Sequence, residues 1–129
     1  AYMCAGGISN DLENSALSVV KAAIDIQAFM VELAERKKQN GEPFFETRIG
    51  IHTGPVVSGI VGIKKFAFDI WGDTVNIAAR LEDNGEVGKV NISQTTYELV
   101  KAEYDCLHRG KISIKNLEEV DMYYVEGRR

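Results

Sequence analysis

From residue 15 to about 38, apolar side chains recur at steps of three and four. Leu17, Val20, Ile24, Ala28 and Val31 form one stripe, and Val19, Ile26, Met30 and Leu33 widen it. The pattern predicts an amphipathic helix with Asn14 as its N-cap. Arg36, Lys37 and Lys38 suit the negative end of the helix dipole, and Gly41 is the stop. The spacing then changes. Phe45, Thr47, Ile49 and Ile51 alternate with Glu46, Arg48, Gly50 and His52, which predicts a strand over residues 45–52. Gly54 and Pro55 bend the chain, and an extended run over 56–61 is interrupted by Gly59, a signal of a bulge or a close backbone approach.

Further strands are expected over residues 2–8, 66–71 and 90–92, with a loop at 10–14. A short helix is expected from 74 to about 83, and a second one, capped by Ser93, runs to about 103. Residues 106–114 and 120–126 read as a closing antiparallel pair. Strands and helices mix without a regular βαβ repeat. The expected class is therefore α+β with a largely antiparallel sheet.

Composition narrows the function more than the fold. The chain has 129 residues, 45% hydrophobic and 26% charged, the proportions of one ordinary globular domain. A net charge of -4 supplies no general basic field for nucleic acid or an anionic membrane. No apolar run approaches the roughly 18 residues that span a bilayer, and no signal peptide opens the chain. No nucleic-acid or membrane contact by this chain is expected, and the expected compartment is the cytoplasm, whatever anchor a longer parent carries. Cys4 and Cys106 read as reduced, partly buried thiols.

The chemistry concentrates in "FAFDIWGDTVNIAARLE", residues 66–82. Asn76 and Arg80 stand four apart and share one helix face, with Asp73 as a good helix start. An Arg one or two turns from a helix N-terminus can clamp a phosphate. Spacing alone also accommodates a surface Arg paired with Glu82 or Asp83. Asp69 sits in an apolar strand, where a carboxylate is costly to bury without a partner. It suits an exocyclic amine such as that of adenine, or it faces water from an edge strand. Lys115 ends the "GKISIK" strand and reads either as a point charge for phosphate or as a solvated strand end. Lys64 and Lys65 read as loop lysines. No Walker A loop, G-x-G-x-x-G fingerprint, Cys/His metal cluster or Ser-His-Asp arrangement is present.

Two longer stretches, "RIGIHTGPVVSGIVG" (48–62) and "FDIWGDTVNIAARLE" (68–82), resemble the catalytic domain of class III nucleotidyl cyclases. The opening "AYMCAGG" and the closing "RGKISIK" also match, so the resemblance covers nearly the whole of residues 1–129. It implies the C-terminal part of a ferredoxin-like cyclase fold, with the family's first strand and helices lying before Ala1. It implies that Asp69 hydrogen-bonds the adenine amino group, where guanylate cyclases usually carry Cys or another small residue. Ile70 would lie beside the purine. Asn76 and Arg80 would be the transition-state pair, holding the ribose region and the α-phosphate charge. Lys115 would bind phosphate, although Asn116 replaces the glycine that usually follows.

The resemblance further implies adenylate cyclase activity on ATP, with two Mg²⁺ or Mn²⁺ ions, at a site between two antiparallel catalytic domains, as in a homodimer. The family's metal aspartates and purine-contacting lysine would precede Ala1. The chain by itself is therefore expected to be inactive and to self-associate through unpaired strand edges. A guanylate cyclase, or a non-catalytic regulatory partner module, is the alternative.

Overall fold

In the computed structural model, the structure describes residues 3, 5, 6, 12–54, 57–60, 68–71, 73–113 and 119–129. The elements are α1 (Leu12–Gln39), β1 (Ile49–Ile51), β2 (Val57–Ile60), β3 (Phe68–Trp71), α2 (Asp73–Asp83), β4 (Val90–Ser93), α3 (Gln94–Val100), β5 (Tyr104–Ser113) and β6 (Glu119–Arg128). The strand expected over 2–8 falls mostly outside the described residues.

Four strands form one sheet in the order β1-β4-β6-β5, and β2 and β3 form a separate hairpin. Among the described strands only β1 and β4 run parallel; β4–β6, β5–β6 and β2–β3 are antiparallel. The class is therefore α+β with a largely antiparallel sheet, as the patterning indicates. β4 is a central strand, and all four of its residues are buried. Side chains alternate across it, since successive strand residues face opposite sides. Val90 and Ile92 join Ile51, Val125, Val100 and Tyr104 under α1. On the other side Ile112 and Met122 pack with Ile77 and Leu81 of α2. Helices thus cover both faces, and among the described helices α2 packs on the face opposite α1.

Helix α1 starts two residues before Asn14, which lies in its first turn and is not the cap. Its C-terminus follows the sequence closely. Gly41 has φ 70°, its N–H reaches Lys38 O at 3.2 Å, and the Glu42 N–H reaches Lys37 O at 2.8 Å. This paired capping pattern needs a left-handed residue, which glycine supplies without strain. The buried stripe matches the expected one in part: Val20 lies in the core and Leu17, Val19 and Ile24 pack against it, but Ala16, Ala23, Gln27 and Ala34 are also buried, whereas Ile26, Ala28 and Val31 are exposed. Alanines let the helix lie close to the sheet, and hydrophobicity alone overlooks them in favour of larger neighbours.

Gln27 explains the polar member of that stripe. Its Nε2 donates to Thr47 O and Lys89 O, both at 2.8 Å, and so ties α1 to the loops entering β1 and β4. Replacing Gln27 with Leu leaves those carbonyls short of a donor. Such a buried loss costs about 1–3 kcal/mol, and a urea unfolding midpoint should fall accordingly.

The strand expected over 45–52 pairs only at Ile49–Ile51. Phe45 is 82% exposed, and the Thr47 carbonyl accepts from Gln27 and from the Gly88 N–H instead of a strand partner. Alternation reports sidedness, not pairing. The β2–β3 register runs through Gly59 opposite Asp69 without a shift, so no bulge occurs there. The sheet's irregularities lie instead in the β5–β6 pairing, between Asp105 and Cys106 and between His108 and Gly110, where Gly110 has φ 100°. Ser93 caps α3 as expected, accepting from the Thr96 N–H at 3.4 Å. α3 ends at Val100, earlier than expected, and residues 101–103 turn directly into β5.

Candidate active site

α2 begins two residues after the end of β3. Ile77 and Leu81, four apart, face the sheet and are buried. The same period places Asn76 and Arg80 on the outward side, Asn76 exposed and Arg80 partly so. The surface pairing of Arg80 with Glu82 or Asp83 does not form. Glu82 lies instead 3.6 Å from Arg48, an ion pair too long for a hydrogen bond. Among the described residues Arg80 and Asn76 make no side-chain hydrogen bond or ion pair, so their donors are free for a ligand.

Three separate contacts hold the helix that presents them. The first is Gly50 of β1. A Cβ there would lie 2.2 Å from the Glu82 backbone nitrogen and 2.7 Å from Ala78 O. The helix backbone therefore rests directly on the strand, a distance only glycine permits. The second is Asn91 of β4, fully buried, whose Nδ2 donates to Leu81 O at 2.9 Å. Leu81 O is one of the four C-terminal carbonyls that a helix cannot satisfy by itself. The neighbouring carbonyls are taken by Asn84, through both N–H and Nδ2 to Arg80 O, and by the Gly85 N–H to Glu82 O. The third is Arg109 of β5. It stacks 4.0 Å above the Tyr124 ring and donates to Asn84 O at 2.8 Å, fixing the turn after the helix. Neither Gly50 nor Asn91 is a site candidate from sequence. The one available signal is a polar residue in the middle of the buried "VNIS" strand.

Asp69 and Ile70 lie on β3, opposite Gly59 and Ser58 of β2. The chain brings this hairpin to the N-terminal end of α2, so one short segment carries Asp69, Ile70, Asn76 and Arg80. Lys115, Lys64 and Lys65 lie outside the described residues. The start of α2 also abuts the end of β1. A Cβ on Gly54 would lie 2.8 Å from Thr74 Oγ1 and 3.2 Å from His52 Nε2. Burial holds the His52 imidazole below the usual histidine pKa. Cys106 is a free, half-buried thiol, pushed up by burial, and Cys4 lies outside the described residues.

The arrangement is a short helix with a free amide and a free guanidinium on one face, fed by a strand with a carboxylate. Comparison with known proteins gives it a family. The adenylate and guanylate cyclase catalytic domain matches residues 1–127. The chain belongs to this family. An adenylate cyclase of Mycobacterium tuberculosis is 32% identical over 129 residues, all of this chain and 28% of that protein. The guanylate cyclase soluble subunit beta-2 of Rattus norvegicus is 35% identical over 126 residues, 97% of this chain and 18% of that protein. The adenylyl cyclase CyaB from P. aeruginosa superposes with a TM-score of 0.83 at 30% identity, over 95% of this chain and 64% of that one. The chain thus spans under a third of the length of these curated relatives. Adenylate and guanylate cyclases both stand among them, so membership by itself leaves the purine open.

Cyclases of this class generally depend on divalent metal ions. Among the described residues of this cyclase chain, no group of three or more His, Cys, Asp or Glu side chains could hold one. The described residues thus do not fit a metal site by themselves. None of the described helices is long and apolar enough to cross a membrane.

Proposed function

We propose that residues 1–129 form the C-terminal part of an adenylate cyclase catalytic domain, converting ATP to 3′,5′-cyclic AMP and pyrophosphate. The observation that carries this reading is the unpartnered Asn76 and Arg80 pair on the outer face of α2. In the reaction the ribose 3′ oxygen loses its proton and bonds to the α-phosphorus. The bond from that phosphorus to the leaving pyrophosphate oxygen breaks. Asn76 orients the ribose, so that the 3′ oxygen stands in line with the leaving group. Arg80 faces the α-phosphate, where its planar donors match the negative charge that grows as the reaction proceeds. Lys115 adds a point charge for the polyphosphate, and Ile70 gives the purine an apolar or backbone contact.

Asp69 supplies the choice of base. An ionised carboxylate only accepts hydrogen bonds, so it matches the adenine amino group and repels the guanine carbonyl oxygen. Mg²⁺ or Mn²⁺ belongs to this reading as the required cation, with its ligands contributed from outside the described residues. The second cyclase domain completes the site from across a dimer, most simply a homodimer, and the activity serves intracellular signalling in the cytoplasm. A guanylate cyclase is the second reading, favoured by the 35% identity to the rat subunit.

The experiment that separates the two is a base-selectivity measurement on the full-length protein. Asp69→Cys should lower kcat/KM for ATP by about tenfold more than for GTP, since one site hydrogen bond matched to the substrate discriminates by at least that much. Equal losses for both nucleotides would remove Asp69 from base recognition. Cyclic GMP as the main product of the unsubstituted protein would establish the second reading.

A further inference from the structure

The β2–β3 hairpin carries a glycine that its fold does not require. Gly59 stands inside β2, where glycine weakens a strand: it has no side chain to pack and loses more backbone freedom on folding than any other residue. An isolated glycine within a strand marks a bulge or a close approach to its backbone. The pairing from Val57↔Trp71 through Gly59↔Asp69 to Ile60↔Phe68 advances one residue at a time on both strands, so Gly59 makes no bulge. A close approach remains.

The register also indicates what approaches. Directly opposite residues of an antiparallel pair share a face, and successive residues alternate between faces. Val57, Gly59, Asp69 and Trp71 therefore belong to one face of the hairpin, and Ser58, Ile60, Phe68 and Ile70 to the other. The first face sets its one acid directly opposite its one position without a side chain. Opposite residues hold their Cβ atoms about 4.5–5.5 Å apart, so a side chain at position 59 would stand immediately beside residue 69. The other two positions on this face, Val57 and Trp71, are apolar residues, which suits the flat faces of an aromatic ring more than water. β3 leads into α2 two residues later, so a nucleotide held by Asn76 and Arg80 has its base end within reach of this hairpin.

We propose that Gly59 is a specificity-determining residue, which keeps this face of the hairpin open so that a purine base reaches Asp69. The inference rests on the reading of Asp69 as the base-recognising residue and deepens it. An amino group bonded to a carboxylate lies about 2.9 Å from its oxygen, and the fused rings behind that group need the neighbouring strand position clear of side-chain atoms. A side chain at position 59 takes that space. The block is steric, so it acts on either purine and leaves the polyphosphate end of the nucleotide alone.

The test is equilibrium binding to the full-length protein with Mg²⁺ present. Two probes are compared: 3′-deoxy-ATP, which carries the base but lacks the attacking oxygen, and inorganic tripolyphosphate, which has no base. Gly59→Val should raise Kd for 3′-deoxy-ATP by about tenfold or more, as expected for methyl groups forced into occupied space. Kd for tripolyphosphate should stay unchanged. The urea unfolding midpoint should hold or rise, because valine suits a strand better than glycine. A purely structural role for Gly59 would give the opposite sign in stability and would weaken both probes alike. Equal weakening of the two probes, or no change in either, would overturn the proposal. So would a change in oligomeric state, which would make another backbone the approaching group. If Gly59→Val does not fold, Gly59→Ala carries the same comparison with a loss of about threefold.

Failure of the adenine reading looks different. Equal losses of ATP and GTP turnover in Asp69→Cys, beside a base-specific loss in Gly59→Val, would remove Asp69 from recognition and leave Gly59 as the residue that admits the base. A parent protein that binds neither probe would overturn both.

Discussion

Replacing Arg80 with Ala in the full-length protein should lower kcat by about 100-fold or more, with a much smaller change in KM. Loss of one donor aimed at transition-state charge has about that effect, near 2.7 kcal/mol. The structure makes the experiment clean. Arg80 pairs with no described side chain, and the buried residues of its helix are Ile77 and Leu81. Truncating it should leave the fold intact, with the change in stability within about 0.5 kcal/mol for such a surface position. Asn76→Ala should behave in the same way, since Asn76 is exposed on the same face. The measurement is steady-state kinetics beside a urea unfolding curve. A variant whose KM rises while kcat holds would show a residue that binds the ground state, and the assigned role would fall. A variant that merely unfolds would show that the outward face of α2 carries structure.

The second large effect is expected far from any substrate contact. Gly50→Val places a branched side chain where a Cβ already falls 2.2 Å from the Glu82 nitrogen and 2.7 Å from the Leu81 carbonyl carbon. These are backbone atoms of α2 and cannot rotate aside as a side-chain tip would. Overpacking usually costs about 1–3 kcal/mol, and this site belongs at or above the top of that range. The helix must lift from β1, taking Asn76 and Arg80 with it, and a displacement near 1 Å is enough to cost about 100-fold in rate. Activity should therefore be lost even where the variant remains folded. Gly127→Ala is the control, because a Cβ there meets nothing within 4 Å. It should change stability by less than about 0.5 kcal/mol. A Gly50→Val protein as stable and active as the parent would show that α2 does not sit on the strand as described.

The local periods in the sequence place most of the elements. The 3.6-residue repeat marks α1 and α2, the closing strand pair reads from its alternation, and Ser93 and Gly41 are visible as a cap and a stop because each does its work within a few residues. Asn76 and Arg80 share a face for the same reason, since helical spacing alone brings positions four apart together. The resemblance to cyclases was equally legible, because its motifs are long contiguous runs.

Other features depend on partners distant in sequence. Periodicity finds Val20, Leu17, Val19 and Ile24 on the core side of α1 but extends the stripe to the exposed Ala28 and Val31, and it passes over Ala16 and Ala23, which join the core, and Gln27, which is buried where two loop carbonyls need a donor. The strand at 45–52 shortened to Ile49–Ile51, because pairing needs a neighbour and β4 offers one only there. The same holds at the site. The sequence by itself determined which side chains α2 points outward. Only the tertiary structure decided where that helix stands, through Gly50 beneath it and Asn91 at its end. These contacts join residues 10 and 32 positions apart in the chain, and no local pattern encodes a distance between two elements.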